Sequence, residues 1–212
     1  MASCVSALMP CPYQGLAPFT EAEAAYFFGR DDDIARLVEA IGREPIVALA
    51  GPSGAGKSSL LRAGLVPRLR RAGAQMVEVL PGASVADFVP DGTDQVLVLD
   101  QFEELAARDP HQARAQLDAI VALTRRGPVR AVLTLRGSAL DDLLTPGLAK
   151  VLNAATLHVA PLDRANLRET IVKPAERAPG LDFEPGLVDR ILDEAGSEPG
   201  QLPLVESLLA DL

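Results

Sequence analysis

A glycine-rich stretch directly after a short apolar run constrains this chain more than any other part of its sequence. Residues 46–50 read Ile-Val-Ala-Leu-Ala, a run typical of a buried parallel strand. Residues 51–59 then read Gly-Pro-Ser-Gly-Ala-Gly-Lys-Ser-Ser, and residues 58–63 favour a helix. The glycines let several N–H groups turn toward one anion, and the positive end of the helix dipole faces the same point. The spacing G-x-x-x-x-G-K-[ST] between a strand and a helix therefore predicts a phosphate-binding loop, the P-loop.

The residue types within the P-loop predict how it holds a nucleotide. Lys57 is expected to reach the β- and γ-phosphates as a mobile positive charge and to assist catalysis there. The Ser58 hydroxyl is expected to ligate Mg²⁺. The remaining positions expected to contact the nucleotide are Gly51, Ser53, Gly54, Ala55, Gly56 and Ser59.

A second motif, Asp-Gln-Phe-Glu-Glu at 100–104, follows four apolar residues. These residues predict a strand that ends on Asp100, at the sheet edge where open α/β folds bind ligands. Asp100 is expected to hold Mg²⁺ directly or through a water molecule. Glu103 or Glu104 is expected to orient and deprotonate the water that attacks the γ-phosphate, and the sequence leaves open which one does so. The alternative is that both glutamates only form the acidic first turn of the next helix.

Arg136 closes the fourth predicted strand and so reaches the same edge of the sheet. We expect it to sense the γ-phosphate and to take part in catalysis. The alternative is a surface arginine at a strand end.

Apolar runs alternating with helical patterns predict an α/β fold. Helices are expected at about 32–42, 110–126 and 138–153, with a weak helix within 83–94. Strands are expected at 46–50, 75–80, 96–100, 129–135 and 156–159. The pattern predicts a P-loop NTPase with a doubly wound parallel sheet of about five strands.

No strand pattern follows residue 162, and helices are expected near 163–173, 185–195 and 202–211. These helices predict a small helical cap after the sheet. The expected division is an irregular segment 1–20, a P-loop nucleotide-binding domain 21–162 and a cap subdomain 163–212.

The amino-acid composition limits the classes of partner that we expect the protein to bind. The net charge of −9 argues against a general surface for nucleic acid or anionic membranes, so nucleic acid is not an expected partner. The two cysteines and two histidines lack zinc-binding spacing. The first residues do not read as a signal peptide, and the apolar runs are shorter than a membrane span. A soluble, cytoplasmic protein with no membrane partner is expected.

Two absent motifs point to the kind of nucleotide. The sequence has no [NT]-K-x-D for guanine recognition and no L-S-G-G-Q-like segment of transporter ATPases. ATP or ADP, with Mg²⁺, is therefore the expected ligand.

Taken together, these motifs resemble the STAND class of signal-transduction ATPases, nearest to the bacterial novel STAND NTPase family, whose members are often fused to WD-type repeats. Relatives continue into a winged-helix element and a sensor, so this chain is expected to be a domain excerpt or a short version. The resemblance covers nearly all of 11–210, and its marks lie at 11–16, 27–30, 51–60, 100–105, 134–136, 174–175 and 200–204.

The resemblance implies roles for further residues. Phe28, Gly29 and Arg30 are expected near the adenine, and Pro203 is expected to pack on the nucleotide from the cap. Arg136 resembles the family's sensor arginine. Members usually continue Arg-Ala-Asp after this strand, whereas this chain has Gly and Ser at 137–138.

The resemblance also implies a function, a switch in which ADP holds the cap closed and ATP opens surfaces for self-association or effector activation. Slow hydrolysis would reset the switch. Two alternatives stay open: a scaffold that holds nucleotide without hydrolysing it, and a motor ATPase of the AAA+ kind.

Overall fold

Strands and helices alternate along the chain in the computed structural model, which describes residues 11–80, 83–86, 88–139, 155–195 and 200–211. The strands are β1 (Ile46–Ala50), β2 (Gln75–Glu78), β3 (Gln95–Leu99), β4 (Val129–Leu135) and β5 (Thr156–His158). The first helices are α1 (Asp31–Arg43), α2 (57–71), α3 (Phe102–Arg108) and α4 (Pro110–Thr124). The last are α5 (Arg164–Arg177), α6 (Leu187–Ala195) and α7 (Gln201–Asp211), and a 3₁₀ turn at Ala24–Tyr26 precedes α1.

The five strands of the described residues form one parallel sheet in the order β2-β3-β4-β1-β5. Strand β4 therefore lies between β1 and β3, with Ala50 paired to Leu135 and Leu99 paired to Leu133. This order brings the carboxyl ends of β1, β3 and β4 side by side. The α/β fold with a doubly wound parallel sheet is confirmed.

Helices cover both faces of the sheet because β1 is apolar at every position and buried throughout. Val47 and Leu49 join a cluster with α1 and α2 on one face. Ile46 and Ala48 join a cluster with α3 and α4 on the other face. The sheet thus has two apolar faces, which fixes the three-layer arrangement.

Helix α2 is not a regular α-helix. It begins as α-helix at Lys57–Ser59, widens into a π-helix over Leu60–Leu65 and returns to α-helix at Val66–Arg71. Gly64 lies in the wide part, where a Cβ would lie 2.9 Å from Cγ1 of Ile34 in α1. The glycine therefore permits close packing of α1 on α2.

Helices α5, α6 and α7 surround a third apolar cluster that includes Leu167, Ile191 and Leu209. Tyr13, from the N-terminal end of the described chain, belongs to the same cluster. The predicted domain division at 20–21 and 162–163 stays a prediction. None of the helices in the described part of the chain is both long and apolar enough to cross a bilayer.

Several predicted elements differ in detail. Strand β2 is shorter than expected, and an extra helix, α3, lies between β3 and α4. The described residues of 83–94 contain no helix, since turn-forming residues dominate there. Within the predicted irregular segment 1–20, residues 11–20 lack helix and strand, while 1–10 lie outside the described residues. Most of the predicted helix 138–153 also lies outside them.

Candidate nucleotide-binding site

A cavity of about 230 Å³ opens at the carboxyl edge of the sheet. Its walls are the P-loop, the residues after β3 and β4, the segment 15–19, residues 26–28 and the start of α7. The predicted site residues that line it are Phe28, Arg30, Ser53, Gly54, Gly56, Lys57, Ser58, Ser59, Glu103, Glu104, Arg136 and Pro203. Those placed around it are Gly29, Gly51, Ala55 and Asp100.

The P-loop takes a conformation that needs its glycines. Gly54 and Gly56 have φ of +75° and +82°, in the left-handed region that favours glycine. Lys57 is buried, and its Nζ donates to the carbonyl oxygens of Gly51 at 3.0 Å and Pro52 at 2.9 Å. Burial lowers the pKa of Lys57, the Glu103 charge raises it and Arg136 lowers it further. The ammonium group is thus held at the phosphate end of the cavity.

Gly51 and Ala55 shape the loop. The Gly51 N–H donates to the Leu135 carbonyl at 3.3 Å, and a Cβ on Gly51 would lie 2.7 Å from the Val159 carbonyl oxygen. The Ala55 carbonyl accepts a 2.8 Å hydrogen bond from Nη2 of Arg30. These contacts anchor the P-loop to β4, β5 and α1.

Ser58 and Asp100 form an oxygen pair at the mouth of the loop. Ser58 Oγ donates to Asp100 Oδ1 at 2.9 Å, and Thr134 Oγ1 donates to the same oxygen at 2.6 Å. The Asp100 side chain is 8% exposed. A hydroxyl and a carboxylate are hard oxygen ligands, and Mg²⁺ commonly takes one or two such groups together with phosphates. The residues present therefore fit Mg²⁺.

Arg62 contacts the same carboxylate from the next turn of α2. Its Nε donates to Asp100 Oδ2 at 3.1 Å, and its Nη2 lies 3.2 Å from Glu78 Oε1. Sequence reasoning missed Arg62, although its position four residues after Ser58 places both on one helix face.

Glu103 and Glu104 both lie in the acidic first turn of α3. They differ in surroundings. Glu103 Oε2 is buried with no hydrogen-bond partner among the described residues, and its Oε1 lies 3.6 Å from Arg136 Nε. Glu104 is exposed. Both alternatives drawn from the sequence therefore apply to Glu103. It lies in the first turn of a helix, and it also lines the cavity.

Gln101 turns the chain between β3 and α3. Its φ is +55°, and it is the non-glycine residue with positive φ in the described part of the chain. Its N–H donates to Thr134 Oγ1 at 2.8 Å. Such a backbone costs about 1 kcal/mol or more and is typical of functional sites. Gln101 was not predicted, because nothing in the sequence indicates that this glutamine has a positive φ.

The resemblance predicted that Phe28, Gly29 and Arg30 lie near adenine. Arg30 lines the cavity, but its guanidinium is engaged by the protein, donating to Asp33 Oδ2 at 2.8 Å, the Ala160 carbonyl at 2.9 Å and Ala55. Gly29 has φ +75°, and a Cβ there would lie 2.4 Å from the Asn166 carbonyl oxygen of α5. Phe28 lines the cavity wall.

The cap and the N-terminal segment close the cavity. Pro203 Cγ lies 2.9 Å from the position of a Cβ on Gly54, and Leu202 Cδ2 lies 3.5 Å from that on Gly56. Helix α7 thus begins directly over the P-loop.

The sequence matches a protein-family model that identifies the family of this P-loop protein. The model described as Novel STAND NTPase 1 matches residues 12–91 and 82–212. The chain belongs to this family. The resemblance drawn from the motifs is confirmed. No curated protein sequence matches the chain.

Solved structures agree with this STAND NTPase in fold. Aeropyrum pernix Orc1 in complex with DNA has a TM-score of 0.66 at 19% identity, covering 87% of this chain and 59% of the Orc1 chain. Domain III of Thermotoga maritima DnaA, a replication initiation protein, has a TM-score of 0.63 at 10% identity, covering 90% and 86%. A chain of the E. coli MS115-1 HORMA:CdnC:Trip13 complex has a TM-score of 0.60 at 16% identity, covering 86% and 80%.

At these identities the likeness shows the fold alone. The STAND NTPase chain spans about three fifths of the Orc1 chain that it matches. Because that Orc1 is bound to DNA, the expectation that nucleic acid is not a partner receives no support from these comparisons.

The N-terminal segment of this STAND NTPase is a part of the site that sequence reasoning left without a role. The Tyr13 hydroxyl donates to the Ile171 carbonyl of α5 at 2.5 Å, and burial raises its pKa. The Phe19 N–H donates to Ser59 Oγ at 3.1 Å. Residues 13–19 therefore connect the cap to the P-loop helix across the cavity. Glu206 of α7 also lines the cavity and was missed.

Proposed function

We propose that this chain is an ATP/ADP-binding switch of signal transduction, with slow Mg²⁺-dependent ATP hydrolysis controlling assembly or effector activation. The observation that carries the proposal is the contact of Pro203 with the Gly54 position of the P-loop. A ligand on the P-loop would contact the cap. ATP carries one phosphate more than ADP, so the two nucleotides would differ in the free energy of that contact. Family membership supports nucleotide binding.

The phosphates would occupy the P-loop. Their oxygens would replace the Gly51 and Pro52 carbonyls as acceptors for Lys57 Nζ, and the glycine-rich backbone would turn further N–H groups toward the same anion. Ser58 and Asp100 would hold Mg²⁺, which when bound neutralises charge that develops on the phosphate oxygens.

Glu103 is the better candidate for activating the attacking water. Its buried Oε2 has acceptor capacity that no described residue uses, and it lines the cavity near Lys57. The water oxygen would bond to the γ-phosphorus, its proton would pass to Glu103, and the bond to the bridging oxygen of ADP would break. Glu104 is exposed and is less suited to this role.

Arg136 is suited to sensing the γ-phosphate. Its side chain is 59% exposed and pairs with Glu103 at 3.6 Å, so the pairing is loose enough to change with the ligand. We propose that 21–162 forms the nucleotide-binding domain and 163–212 the cap that follows its state. Exchange of ADP for ATP would open surfaces for self-association or effector binding.

Nucleotide content of the purified protein, released by heat and separated by chromatography, tests this proposal alongside solution mass with ADP or ATP. We expect retained ADP on a monomer and a larger mass with ATP. Failure of the wild-type protein to bind either nucleotide would overturn the proposal. Binding without any turnover would favour the scaffold.

The motor alternative is tested with DNA, because Aeropyrum pernix Orc1, which shares the fold of this chain, is bound to DNA. Turnover in the presence and absence of DNA separates the two functions. Steady turnover stimulated by DNA indicates a motor, whereas slow turnover unaffected by DNA indicates a switch.

A further inference from the structure

Glu206 is a buried carboxylate that the proposed function does not use. It lies in α7, is 8% exposed and lines the cavity. Its Oε2 has no hydrogen-bond partner among the described residues. The backbone of Gln14 supplies one hydrogen bond to the carboxylate, which leaves Oε2 as an unused acceptor. A buried acceptor without a partner destabilises a fold, so one kept in a ligand cavity points to a donor on the ligand.

The position of Glu206 on α7 shows which part of a nucleotide it would meet. Leu202 and Pro203 touch the P-loop positions Gly56 and Gly54. Glu206 follows them by four and three residues, so it lies on the same helix face about one turn further from the P-loop. Phosphates at the P-loop therefore place the base, at the opposite end of the nucleotide, toward Glu206.

The cavity walls also include apolar and aromatic side chains, among them Leu16, Phe28 and Leu162. Arg30 is already bonded to three protein acceptors, and the Thr170 hydroxyl donates to the Leu167 carbonyl of its own helix. Glu206 thus supplies a charged acceptor in a pocket otherwise suited to a flat ring.

We infer that the Glu206 carboxylate accepts a hydrogen bond from the exocyclic amino group of adenine and thereby selects adenine nucleotides at this site. The inference rests on the proposed function, since it needs a nucleotide on the P-loop. Adenine carries a donor, N6–H₂, where guanine carries the acceptor O6, and an ionised carboxylate attracts the first and repels the second. Glu206 is therefore a specificity residue that reads the base.

The ionisation of Glu206 adds a pH dependence. Burial raises the pKa of its carboxyl to about 7, with the backbone of Gln14 opposing part of that shift. Tyr13 faces Glu206 from the N-terminal segment and stays neutral near pH 7, because burial and the charge of Glu206 raise its own pKa. Since the ligand donor favours the ionised carboxylate, the preference for adenine should grow as pH rises from 6 to 8.

The test measures the affinities of the wild-type chain for ATP, for the triphosphate of purine riboside, which lacks the amino group, for GTP and for 2′-deoxy-ATP. We expect ATP and 2′-deoxy-ATP to bind equally and at least tenfold more tightly than the other two, the effect of one hydrogen bond to a charged acceptor. The ratio between ATP and the purine analogue should increase from pH 6 to pH 8. Using a ratio removes the titration of the phosphates, which both ligands share.

Glu206→Leu should bring the ratio between ATP and the purine analogue to about one and remove its pH dependence. Glu206→Gln is closer in shape to the wild type and should also remove the pH dependence. It provides a second variant for the test if Glu206→Leu does not fold. Glu194→Gln, at an exposed position of α6, is the matched control and should behave as wild type.

An unchanged ratio in both Glu206 variants would overturn the inference while leaving the proposed function intact. A loss confined to 2′-deoxy-ATP would assign the contact to the ribose, and preferred binding of GTP would assign it to guanine, so either result also overturns it. If the wild-type chain binds no triphosphate at all, the proposed function itself fails.

Discussion

Ser58 Oγ donates a 2.9 Å hydrogen bond to Asp100 Oδ1 across 42 positions of the sequence. The contact exists because β1 and β3 flank β4 and end at the same edge of the sheet. It joins the two predicted metal-binding residues into one oxygen pair. Thr134, at the end of the intervening strand, donates to the same carboxylate and fixes its orientation.

Removing this oxygen pair should weaken nucleotide binding only when Mg²⁺ is present. Asp100→Asn and Ser58→Ala are each expected to lower ATP affinity about tenfold or more in Mg²⁺, with little change in a chelator, since charge-assisted contacts are lost. Titration of ATP with and without Mg²⁺ measures this. Ser58→Thr keeps the hydroxyl and is the control. Equal losses in the chelator would contradict the metal assignment.

Lys57→Ala should abolish ATP binding, because the buried ammonium faces the site where the phosphates would lie. Calorimetric titration checks this prediction. Arg43→Ala, which removes a positive charge at the exposed end of α1, is the control and should leave affinity unchanged. Wild-type affinity in Lys57→Ala would refute the P-loop assignment.

The two neighbouring glutamates provide their own matched pair. Glu103→Gln should retain ATP binding and lose turnover about a hundredfold or more, the range for removal of a general base. Glu104→Gln should leave turnover close to wild type, because its side chain is exposed. Single-turnover phosphate release measures both. The reverse pattern would move the role to Glu104, and no effect in either variant would refute carboxylate catalysis.

Glu206 should make the nucleotide-free fold less stable as pH rises. Its pKa increases from 4.5 to about 7 on folding, so the folded chain binds this proton more tightly than the unfolded chain does. The stabilisation is fully present below pH 4.5 and is lost as pH rises through about 7, by about 3 kcal/mol in total. Urea unfolding of wild type and Glu206→Gln across this range measures the difference. Parallel curves for the two proteins would contradict it.

Gly29→Ala should destabilise the fold more than the same change at Gly92. Both glycines have positive φ, +75° and +88°, so alanine adds about 1–2 kcal/mol of backbone strain at each. A Cβ at position 29 would also lie 2.4 Å from the Asn166 carbonyl, whereas nothing lies within 4 Å of one at position 92. We expect an extra loss of about 2 kcal/mol or more in the free energy of unfolding of Gly29→Ala. Equal losses of unfolding free energy in the two variants would show that α5 moves away from the added methyl group at no cost, which would contradict the prediction.

The sequence predicted the parts of the site that depend on neighbouring residues. The P-loop, Lys57 and Ser58 follow from one apolar run and the glycines after it, and Asp100 follows from the end of another apolar run. The sequence did not decide whether Glu103 or Glu104 activates the water, because both belong to one helical turn. Only the packing of the folded chain exposes Glu104 and not Glu103. It missed Arg62, Gln101 and Glu206, whose importance lies in what faces them.

By itself, the sequence determined that this chain forms an α/β P-loop protein of the STAND family, since strand length, glycine spacing and helix periodicity are local properties. Only the tertiary structure decided that β4 separates β1 from β3, that residues 13–19 connect α5 to α2, and that α7 places Pro203 and Glu206 over the cavity. These relationships join residues far apart in sequence. They are set by the joint burial of several apolar faces, which no single stretch of the chain encodes.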